Sequence, residues 1–417
     1  MKPTDPLPHP PDWTVSTVGC EVEIRRGVSW SKGQETTEAK DYTVPVLRIS
    51  NIQARLELDD ILHLAGVPEK ARRMKKASKH WSVIVGSNGN RNRIGNAVFI
   101  NEETEFLFAS FLIAAKPKED SALLPEFFFR WLNAYEIQAR ISASAEGSTG
   151  LSNLSHDFLK AMAVAFPQPD EQGAIAHILD AVDAAIERTR IASDKAERLE
   201  TGLLENLVTK RVNTWRTQRL DAVAEVGSGV TLGRDLSGSP TVSHPYLRVE
   251  NVQAGFIDLK EIKQVSVRPD EVERYLLRAG DVLMTEGGDF DKLGRGAVWR
   301  GSISPCLHQN HVFRVRPIAG VLDSDFLEAV IGSSYGRRFF QTIAKRTTNL
   351  ASINKTQLRG LRVPCPPMAK QEQIAAVLQA ANARVGTIKC KVAALERLKR
   401  GLMQDLLTGK VRVPQRN

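Results

Sequence analysis

The chain has 417 residues, of which 42% are hydrophobic and 25% are charged, a composition that excludes a disordered or fibrous protein. This length predicts roughly two to four domains. The net charge of +9 favours a polyanionic partner without deciding whether that partner is a nucleic acid. No stretch approaches about 18 uninterrupted apolar residues, and the first residues lack the apolar core of a signal peptide, so we expect no membrane partner and a cytoplasmic protein.

A ten-residue segment near the start of the chain is repeated in the second half. PVLRISNIQA at 45–54 returns as PYLRVENVQA at 245–254, with six identical residues. Its alternation of apolar and polar residues predicts a half-buried strand. The period is far too long for a stack of small repeats, so the sequence predicts two similar domains.

Further segments match in the same order. SVIVGSNGNRNRIGNAVFI at 82–100 aligns with DVLMTEGGDFDKLGRGAVW at 281–299, which pairs Ser82 with Asp281. Both read as a strand, a polar loop and a second strand. The segments 150–169 and 349–368 also align, and each is followed by a long helical pattern.

The two long helical segments have apolar residues at the 4-3 spacing of a coiled coil. Roughly 38 residues at about 1.5 Å each give a rod of about 57 Å. An isolated helix would leave its apolar seam in water, so we expect the two helices to pair with each other. Gly202 and Gly401 mark either a close helix crossing, a bend, or a tolerated defect. The predicted seam residues are Leu179, Ile186, Leu203, Leu207, Leu378, Val385, Leu402 and Leu406.

The common catalytic and metal-binding patterns are missing from the sequence. The glycines of GSGVTLG at 227–233 fit neither nucleotide-binding fingerprint, and no base-methyltransferase motif is found. His308 and His311 lack a third metal ligand of suitable spacing, and the four cysteines form no CxxC pair. We therefore expect no enzyme activity, metal or cofactor in this chain.

The loops that differ most between the halves are rich in residues that read DNA. Arg and Lys contact phosphates or guanine, Asn contacts adenine, and Asp or Glu accepts from cytosine N4. The basic run 69–81 and the loop 88–93 lie in the first half, and the loops 286–295 and 344–349 lie in the second. The predicted DNA contacts are Lys75, Lys76, Lys79, Asn88, Asn90, Arg91, Asn92, Arg93, Thr285, Glu286, Asp289, Lys292, Arg295, Lys345 and Arg346.

From Trp13 to Val413 the order of these motifs resembles the specificity subunit of type I restriction-modification systems. The resemblance rests on the Trp/Gly unit that opens each half, the LR[IV]xN[IV] segment, GDVLMT at 280–285, and the helix starts DEQGAIAHILD and KQEQIAAVLQA. The first half has SVIVGSNG where the family pattern has GDVLMT.

The resemblance implies an α+β fold in which two target recognition domains of mixed β structure are joined by two antiparallel coiled-coil helices with an internal pseudo-two-fold repeat. The expected boundaries are a proline-rich tail at 1–12, domains at 13–168 and 213–366, and spacer helices at 169–212 and 367–413. The implied function is to read a bipartite double-stranded DNA target and to dock two methyltransferase subunits. These would bind S-adenosylmethionine, and restriction or translocase subunits would join through the complex.

Two other functions are compatible with the sequence. One is a DNA methyltransferase or nuclease whose catalytic site has an unfamiliar pattern. The other is a coiled-coil scaffold without a nucleic-acid role, whose basic loops are only a solvated surface. Binding of S-adenosylmethionine by the isolated chain would favour the first, and a flat response of DNA binding to salt would favour the second.

Overall fold

The structure is a computed structural model that describes residues 4–145, 150–288, 290, 293–346 and 351–413, with Arg346 described by its backbone alone. The chain divides into two compact units. The first unit comprises Met1–Thr189 and Lys391–Asn417, and the second comprises Arg190–Cys390. Each unit therefore contains most of one of the two domains predicted to be recognition domains, for which that name is kept here, and parts of both long helices.

The first unit contains twelve short strands, five short helices and the start of a long one within its described residues. In chain order they are β1 Thr14–Thr17, α1 Val18–Glu21, β2 Val22–Arg26, β3 Glu35–Thr36, β4 Thr43–Leu47, β5 Leu62–Ala65, α2 Glu69–Met74, β6 Ser82–Val85, β7 Ser87–Asn88, β8 Ala97–Phe99, β9 Leu107–Phe108, β10 Leu112–Pro117, α3 Pro125–Leu132, α4 Tyr135–Ser144, β11 Ser152–Asn153, α5 His156–Ala161, β12 Ala163–Phe166 and α6 Pro169–Leu207.

Over the residues that the structure describes, the second unit repeats this order, except that β3 has no counterpart and β22 is additional. Its elements are β13 Thr217–Arg219, α7 Leu220–Val223, β14 Ala224–Ser228, β15 Val242–Leu247, β16 Lys263–Val267, α8 Val272–Tyr275, β17 Val282–Thr285, β18 Gly287–Gly288, β19 Gly296–Val298, β20 Leu307–His308, β21 Val312–Pro317, α9 Ser324–Gly332, α10 Ser334–Ile343, β22 Lys345–Arg346, β23 Ala351–Ser352, α11 Lys355–Arg359, β24 Arg362–Pro364 and α12 Met368–Leu407.

Equivalent sheets form in the two units. The strand order β2-β10-β6-β8 in the first unit corresponds to β14-β21-β17-β19 in the second, and all neighbours are antiparallel. A second sheet has the order β3-β5-β4-β9 in the first unit and β16-β15-β20 in the second. In both units this second sheet ends in a parallel pair, β4 with β9 or β15 with β20.

The repeated decapeptide is only partly a strand. Strand β4 ends at Leu47, and Ile49–Asn51 forms a 3₁₀ turn, because the buried Asn51 side chain replaces ladder hydrogen bonds. Its Oδ1 accepts from the Arg48 backbone N at 2.8 Å, and its Nδ2 donates to the carbonyls of Glu57 and Asp60. The second unit has the same arrangement, and the strand predicted over the whole segment is therefore too long.

Asn251 makes the equivalent three contacts. Its Oδ1 accepts from the Arg248 backbone N at 2.8 Å, and its Nδ2 donates to the carbonyls of Asp258 and Glu261 at 2.8 and 3.0 Å. Buried polar side chains are stable only when they are hydrogen-bonded, so this network accounts for the identical asparagine in the two copies.

The pairing of equivalent strands shows that the alignment of the two halves made from the sequence is shifted by one residue in this region. Ser82 lies opposite Ala115, and Val282 lies opposite Val315, so Ser82 corresponds to Val282 and not to Asp281. The residues before these strands are therefore equivalent as well. His80 at φ 70° takes the place of Gly280 at φ 95°, a left-handed conformation that favours glycine.

The start of one long helix and the end of the other complete the core of each unit. In the first unit Ile175 and Leu179 of α6 share a buried cluster with Leu406 and Leu407 of α12. In the second unit the end of α6, including Leu203 and Leu207, packs against a cluster that contains Ile374 and Leu378 of α12. The proline-rich segment also takes part, because Leu7 is buried in the first cluster.

The two helices run antiparallel within each unit. In the first, Glu171 pairs with Arg412 just after α12, and the later residue Asp183 pairs with the earlier residue Lys399 at 2.6 Å. In the second, Glu197 pairs with Lys389 at 2.9 Å. A Cβ added at Gly202 or Gly401 would meet no atom of the described chain within 4 Å, so neither glycine marks a close crossing there.

A glutamine fixes the start of each long helix to its domain. Gln172 Nε2 donates to the carbonyls of Ala122 and Pro167, and its Oε1 accepts from the Leu124 backbone N at 2.7 Å. Gln371 makes the corresponding contacts with Val321, Pro366 and Asp323. Both side chains are buried, so each also satisfies backbone groups that water cannot reach.

We expect Asn51→Ala to lower the free energy of unfolding by about 1–3 kcal/mol, because it removes the three hydrogen bonds that the buried Asn51 amide makes to the backbone. The measurement is urea unfolding followed by circular dichroism. Gln53→Ala is the matched control, since the Gln53 side chain donates to only one carbonyl, that of Ser50. Equal stability of the two variants would contradict this role of Asn51.

Candidate nucleic-acid interface

Each unit presents one polar loop, which begins where the second strand of its main antiparallel sheet ends. Loop 86–93 follows β6, and loop 286–295 follows β17. Main-chain hydrogen bonds hold both loops to the turn before the neighbouring strand of the sheet, β10 or β21, from Gly86 N to Phe111 O at 2.9 Å and from Glu286 N to His311 O at 3.0 Å. The same backbone frame therefore carries both of the predicted DNA-reading loops.

Asparagines occupy the exposed part of the loop in the first unit. Asn90 and Asn92 are exposed, and Asn88 is half-buried. The side-chain oxygens of Asn88 and Asn90 accept from the backbone N of Asn90 and Asn92, at 2.7 and 3.1 Å. The amide NH₂ groups of Asn88 and Asn90 have no partner among the described residues, so they are open to an external acceptor.

The two arginines of this loop are bound within the domain. Arg91 donates from Nε and Nη2 to the carbonyls of Ser142 and Ala143, both at 2.7 Å, at the C-terminal end of α4. Arg93 Nη2 donates to the Ile52 carbonyl at 2.7 Å. These guanidinium groups fix the shape of the loop, a role that the sequence pattern did not indicate.

The basic run before β6 contains one predicted contact that is fully exposed. Lys75 is half-buried, and its Nζ donates to the backbone carbonyl of Arg26. Lys76 is half-buried as well, and its Nζ lies 2.6 Å from Glu105 Oε1. Lys79 is exposed. Of the three lysines, Lys79 is therefore the most accessible to a phosphate.

In the second unit one predicted contact is wrong. The Thr285 side chain is fully buried, because it faces the domain interior at the end of β17, so it does not reach a DNA surface. Glu286 is 30% exposed and accepts from His311 Nδ1 at 2.6 Å. Arg295 is half-buried, and its Nη1 lies 3.3 Å from Gln253 Oε1.

The remaining predicted contacts of the second unit lie in or near β22. Lys345 is exposed, and its backbone pairs with Ser352. Arg346 is described only by its backbone, which pairs with Ala351. Asp289 and Lys292 lie outside the described residues. Strand β23 connects this region to the loop, since Ala351 also pairs with Gly288.

Sequence reasoning missed several side chains beside these loops. Phe111 and His311 occupy equivalent turns, and Asn153 accepts from the hydroxyl of Ser87 at the start of β7. Gln253 contacts Arg295 from the end of the second decapeptide. Better alignment of the two halves would have pointed to positions 111 and 311, because these flank matched strands but differ in chemistry.

The histidine pair does not form a metal site. His308 is buried, its Nδ1 lies 2.7 Å from the Val312 carbonyl, and burial lowers its pKa to about 4, which keeps the ring neutral. His311 pairs with Glu286 instead. In the described part of the chain no group of three or more His, Cys, Asp and Glu side chains could hold a metal ion.

All eight predicted seam residues are buried or half-buried. Six of them belong to or pack against the core of a unit: Leu179, Leu402 and Leu406 in the first, and Leu203, Leu207 and Leu378 in the second. Ile186 and Val385 are buried at other points along the helices. The predicted seam is therefore continuous with the cores of the recognition domains.

A different set of apolar residues on the long helices is exposed. Ile191 and Leu199 on α6, and Val377 and Leu398 on α12, are between 41% and 57% exposed. Ile191 and Leu199 are eight residues apart, a spacing that places them on the same side of a helix. No helix within the described ranges is long and apolar enough to cross a membrane.

Comparisons with known proteins agree with this arrangement. The family profile of the type I restriction modification DNA specificity domain matches residues 10–193. The EcoKI specificity subunit of Escherichia coli K12 is 24% identical over 406 residues, which cover 92% of this chain and 85% of that protein. Residues 10–193 therefore match the type I specificity-domain family, and nearly the whole chain is similar to a type I specificity subunit. Both matches agree with the predicted family, and a relative named a specificity subunit agrees with the prediction that this chain is not itself an enzyme.

A second relative of this family is the putative MjaX specificity subunit of Methanocaldococcus jannaschii, 28% identical over 196 residues. The match covers 46% of this chain and 45% of that protein, so the chain matches about half of this relative's length. The crystal structure of the S subunit from M. genitalium has a TM-score of 0.59 at 14% identity and covers 97% of this chain and 99% of that chain. The shared fold confirms the predicted α+β class with two similar domains and long helices.

Glu328 on α9 makes the second recognition domain sensitive to pH. Its Oε1 accepts from the Val298 backbone N in β19 at 2.9 Å, and burial raises its pKa to about 7. Between the ordinary value of 4.5 and about 7 the folded state retains a proton that the unfolded state releases. Stability from this group is therefore present at low pH and is lost as the pH rises through this window.

We expect Glu328→Gln to remove this loss of folding stability with rising pH. The free energy of unfolding of the wild-type protein should fall by about 1–3 kcal/mol more than that of the variant between roughly pH 5 and pH 8. Urea unfolding at several pH values measures the difference. Glu372→Gln, at an exposed position, should retain the wild-type slope. An identical slope for Glu328→Gln would contradict the assignment.

Proposed function

We propose that the chain is the sequence-specific DNA-binding subunit of a type I restriction-modification complex and reads a bipartite duplex target, one part with each recognition domain. The observation that carries this proposal is the contrast between the two units. They share strand order and buried anchors such as Asn51 and Asn251, but their exposed loops contain different polar residues. A duplicated frame with divergent loops suits a target whose two parts differ in sequence.

The proposed DNA contacts follow from accessibility. Exposed Lys79 and Lys345 are suited to phosphates, and Asn88, Asn90 and Asn92 are suited to base edges. Lys75, Lys76, Glu286 and Arg295 are partly accessible and remain proposed contacts, as do Arg346, Asp289 and Lys292 from the sequence alone. Arg91 and Arg93 act by holding the loop in shape.

We propose that methyltransferase subunits dock on the exposed apolar residues of the long helices. We propose two such subunits per chain. Ile191, Leu199, Val377 and Leu398 would be covered by these partners. The chain itself would carry no catalytic centre, and the partners would bind S-adenosylmethionine. Restriction or translocase subunits would join through the complex, which would act in the cytoplasm.

Selection from a random duplex library, by the chain together with its methyltransferase subunit, tests the proposed function. We expect two conserved blocks separated by a constant stretch of indifferent bases. If about six phosphate contacts form, affinity should fall about 10³-fold between roughly 50 and 200 mM salt. One block or none would contradict the bipartite reader. A flat salt response would favour a scaffold, and binding of S-adenosylmethionine by the isolated chain would favour an enzyme.

We expect Leu199→Asp to weaken binding of the methyltransferase subunit by at least about tenfold, because a charge replaces an apolar contact, while thermal stability stays unchanged. Thr201→Asp adds the same charge at an exposed position that points to a different side of the helix, and should bind normally. Leu203→Asp should instead lower the melting temperature, since Leu203 packs against the core. Calorimetric titration measures binding, and normal binding by Leu199→Asp would contradict this docking surface.

A further inference from the structure

The turn before β10 and the turn before β21 are the same structure with different side chains at the tip. In the first unit Leu112 N donates to Ala109 O at 2.8 Å, and in the second Val312 N donates to Gln309 O at 2.9 Å. The carbonyl of Phe111 or His311 then accepts from the residue that begins the reading loop. Positions 111 and 311 are therefore equivalent, and both adjoin the loops proposed to contact DNA.

The fold does not require the side chain found at either position. Phe111 is 50% exposed, and the equivalent turn forms equally well with a polar histidine. Phe111 thus presents an apolar ring on a turn whose carbonyl accepts from Gly86 N and Ser87 N, at the start of the loop that contains Asn88. Apolar side chains contact the thymine methyl group in the major groove, and asparagine pairs with adenine, so this chemistry suits an A·T pair.

The second unit presents a charged acceptor at the same place. Glu286 takes the position of Gly86, and its Oε2 accepts from His311 Nδ1 at 2.6 Å. Its Oε1 has no partner among the described residues. A carboxylate held in this way accepts from the N4 amino group of cytosine and is repelled by the acceptor oxygens of guanine and thymine. The equivalent position of this unit therefore suits a G·C pair.

We propose that these equivalent positions give the two half-sites opposite base preferences. Phe111 reads an A·T pair through the thymine methyl group, and the Glu286–His311 pair reads a G·C pair through the cytosine amino group. This assignment of base preferences rests on the proposed function, and it adds which base pair each position reads. It assigns a specificity role to Phe111 and His311, neither of which the loop sequences pointed to.

The test is selection from a random duplex library by the full chain with its methyltransferase subunit, comparing Phe111→Ala, Phe111→Leu and Glu286→Gln with the wild type. In Phe111→Ala we expect one A·T position of one block to lose its preference by on the order of tenfold, with the other block unchanged. Phe111→Leu retains an apolar contact and should keep most of the preference. Glu286→Gln should weaken one G·C position in the other block.

Tyr135→Ala is the matched control, because Tyr135 is an exposed aromatic residue at the start of α4, about 12 Å along the helix from the carbonyls that Arg91 binds. It should leave both blocks intact. If the wild type selects two blocks and Phe111→Ala leaves them unchanged, or weakens binding equally for all sequences, the inference is wrong while the proposed function stands. If the wild type selects no pair of blocks, the proposed function itself fails.

Discussion

Each recognition domain completes its hydrophobic core with the start of one long helix and the end of the other, and the rest of the structure depends on this constraint. In the first unit Leu179 and Leu406 lie in one buried cluster with the domain residues Phe127 and Trp131. Residues more than 200 positions apart in the sequence must therefore meet before this core is closed. A fragment that ends before α12 would expose the apolar surface that Leu406 and Leu407 cover.

Buried polar anchors make this packing specific. The glutamines at the helix starts hydrogen-bond to backbone groups in the linker and in the domain, so each helix leaves its domain at a defined position. An apolar cluster tolerates small sliding movements, whereas a buried amide with three partners does not. Glu171 adds a further constraint, because the Arg412 guanidinium binds it from beyond the end of α12.

The sequence predicted those features that depend on periodicity and repetition. The 4-3 apolar spacing indicated both long helices, and the duplicated segments indicated two similar domains. The sequence could not show that Asn51 would end a strand, because that depends on hydrogen bonds to Glu57 and Asp60 further along the chain. The sequence also could not show that Asn90 is exposed whereas Thr285 is buried. That difference depends on the sheet in which Thr285 ends a strand.

Basic residues were the least predictable part of the interface. Arg91 and Lys79 are equally plausible DNA contacts in the sequence, yet Arg91 is bound by two helix-terminal carbonyls and Lys79 is exposed. The difference arises from the end of α4, about 50 residues beyond the loop, which provides acceptors for a nearby cation. A cluster of positive charge in a sequence therefore indicates only a candidate region for an interface, and tertiary contacts decide which cations remain accessible.

The loops that we propose to contact DNA are held by main-chain contacts, which would separate specificity from stability. Gly86 and Glu286 make the same two backbone hydrogen bonds, donating to residue 111 or 311 and accepting from Leu154 or Ile353 at 2.8 or 2.9 Å. Because these bonds use no side-chain atoms, the side chains at 111 and 311 differ without altering the frame. Gly86 is more constrained, since a Cβ there would lie 2.9 Å from Ile113 Cγ1. Buried anchors such as Asn51 and Asn251 have no such freedom, since their amide groups themselves make the contacts. If these loops contact DNA as proposed, such a domain can change the bases it reads through exposed positions while its core and helix attachments stay the same.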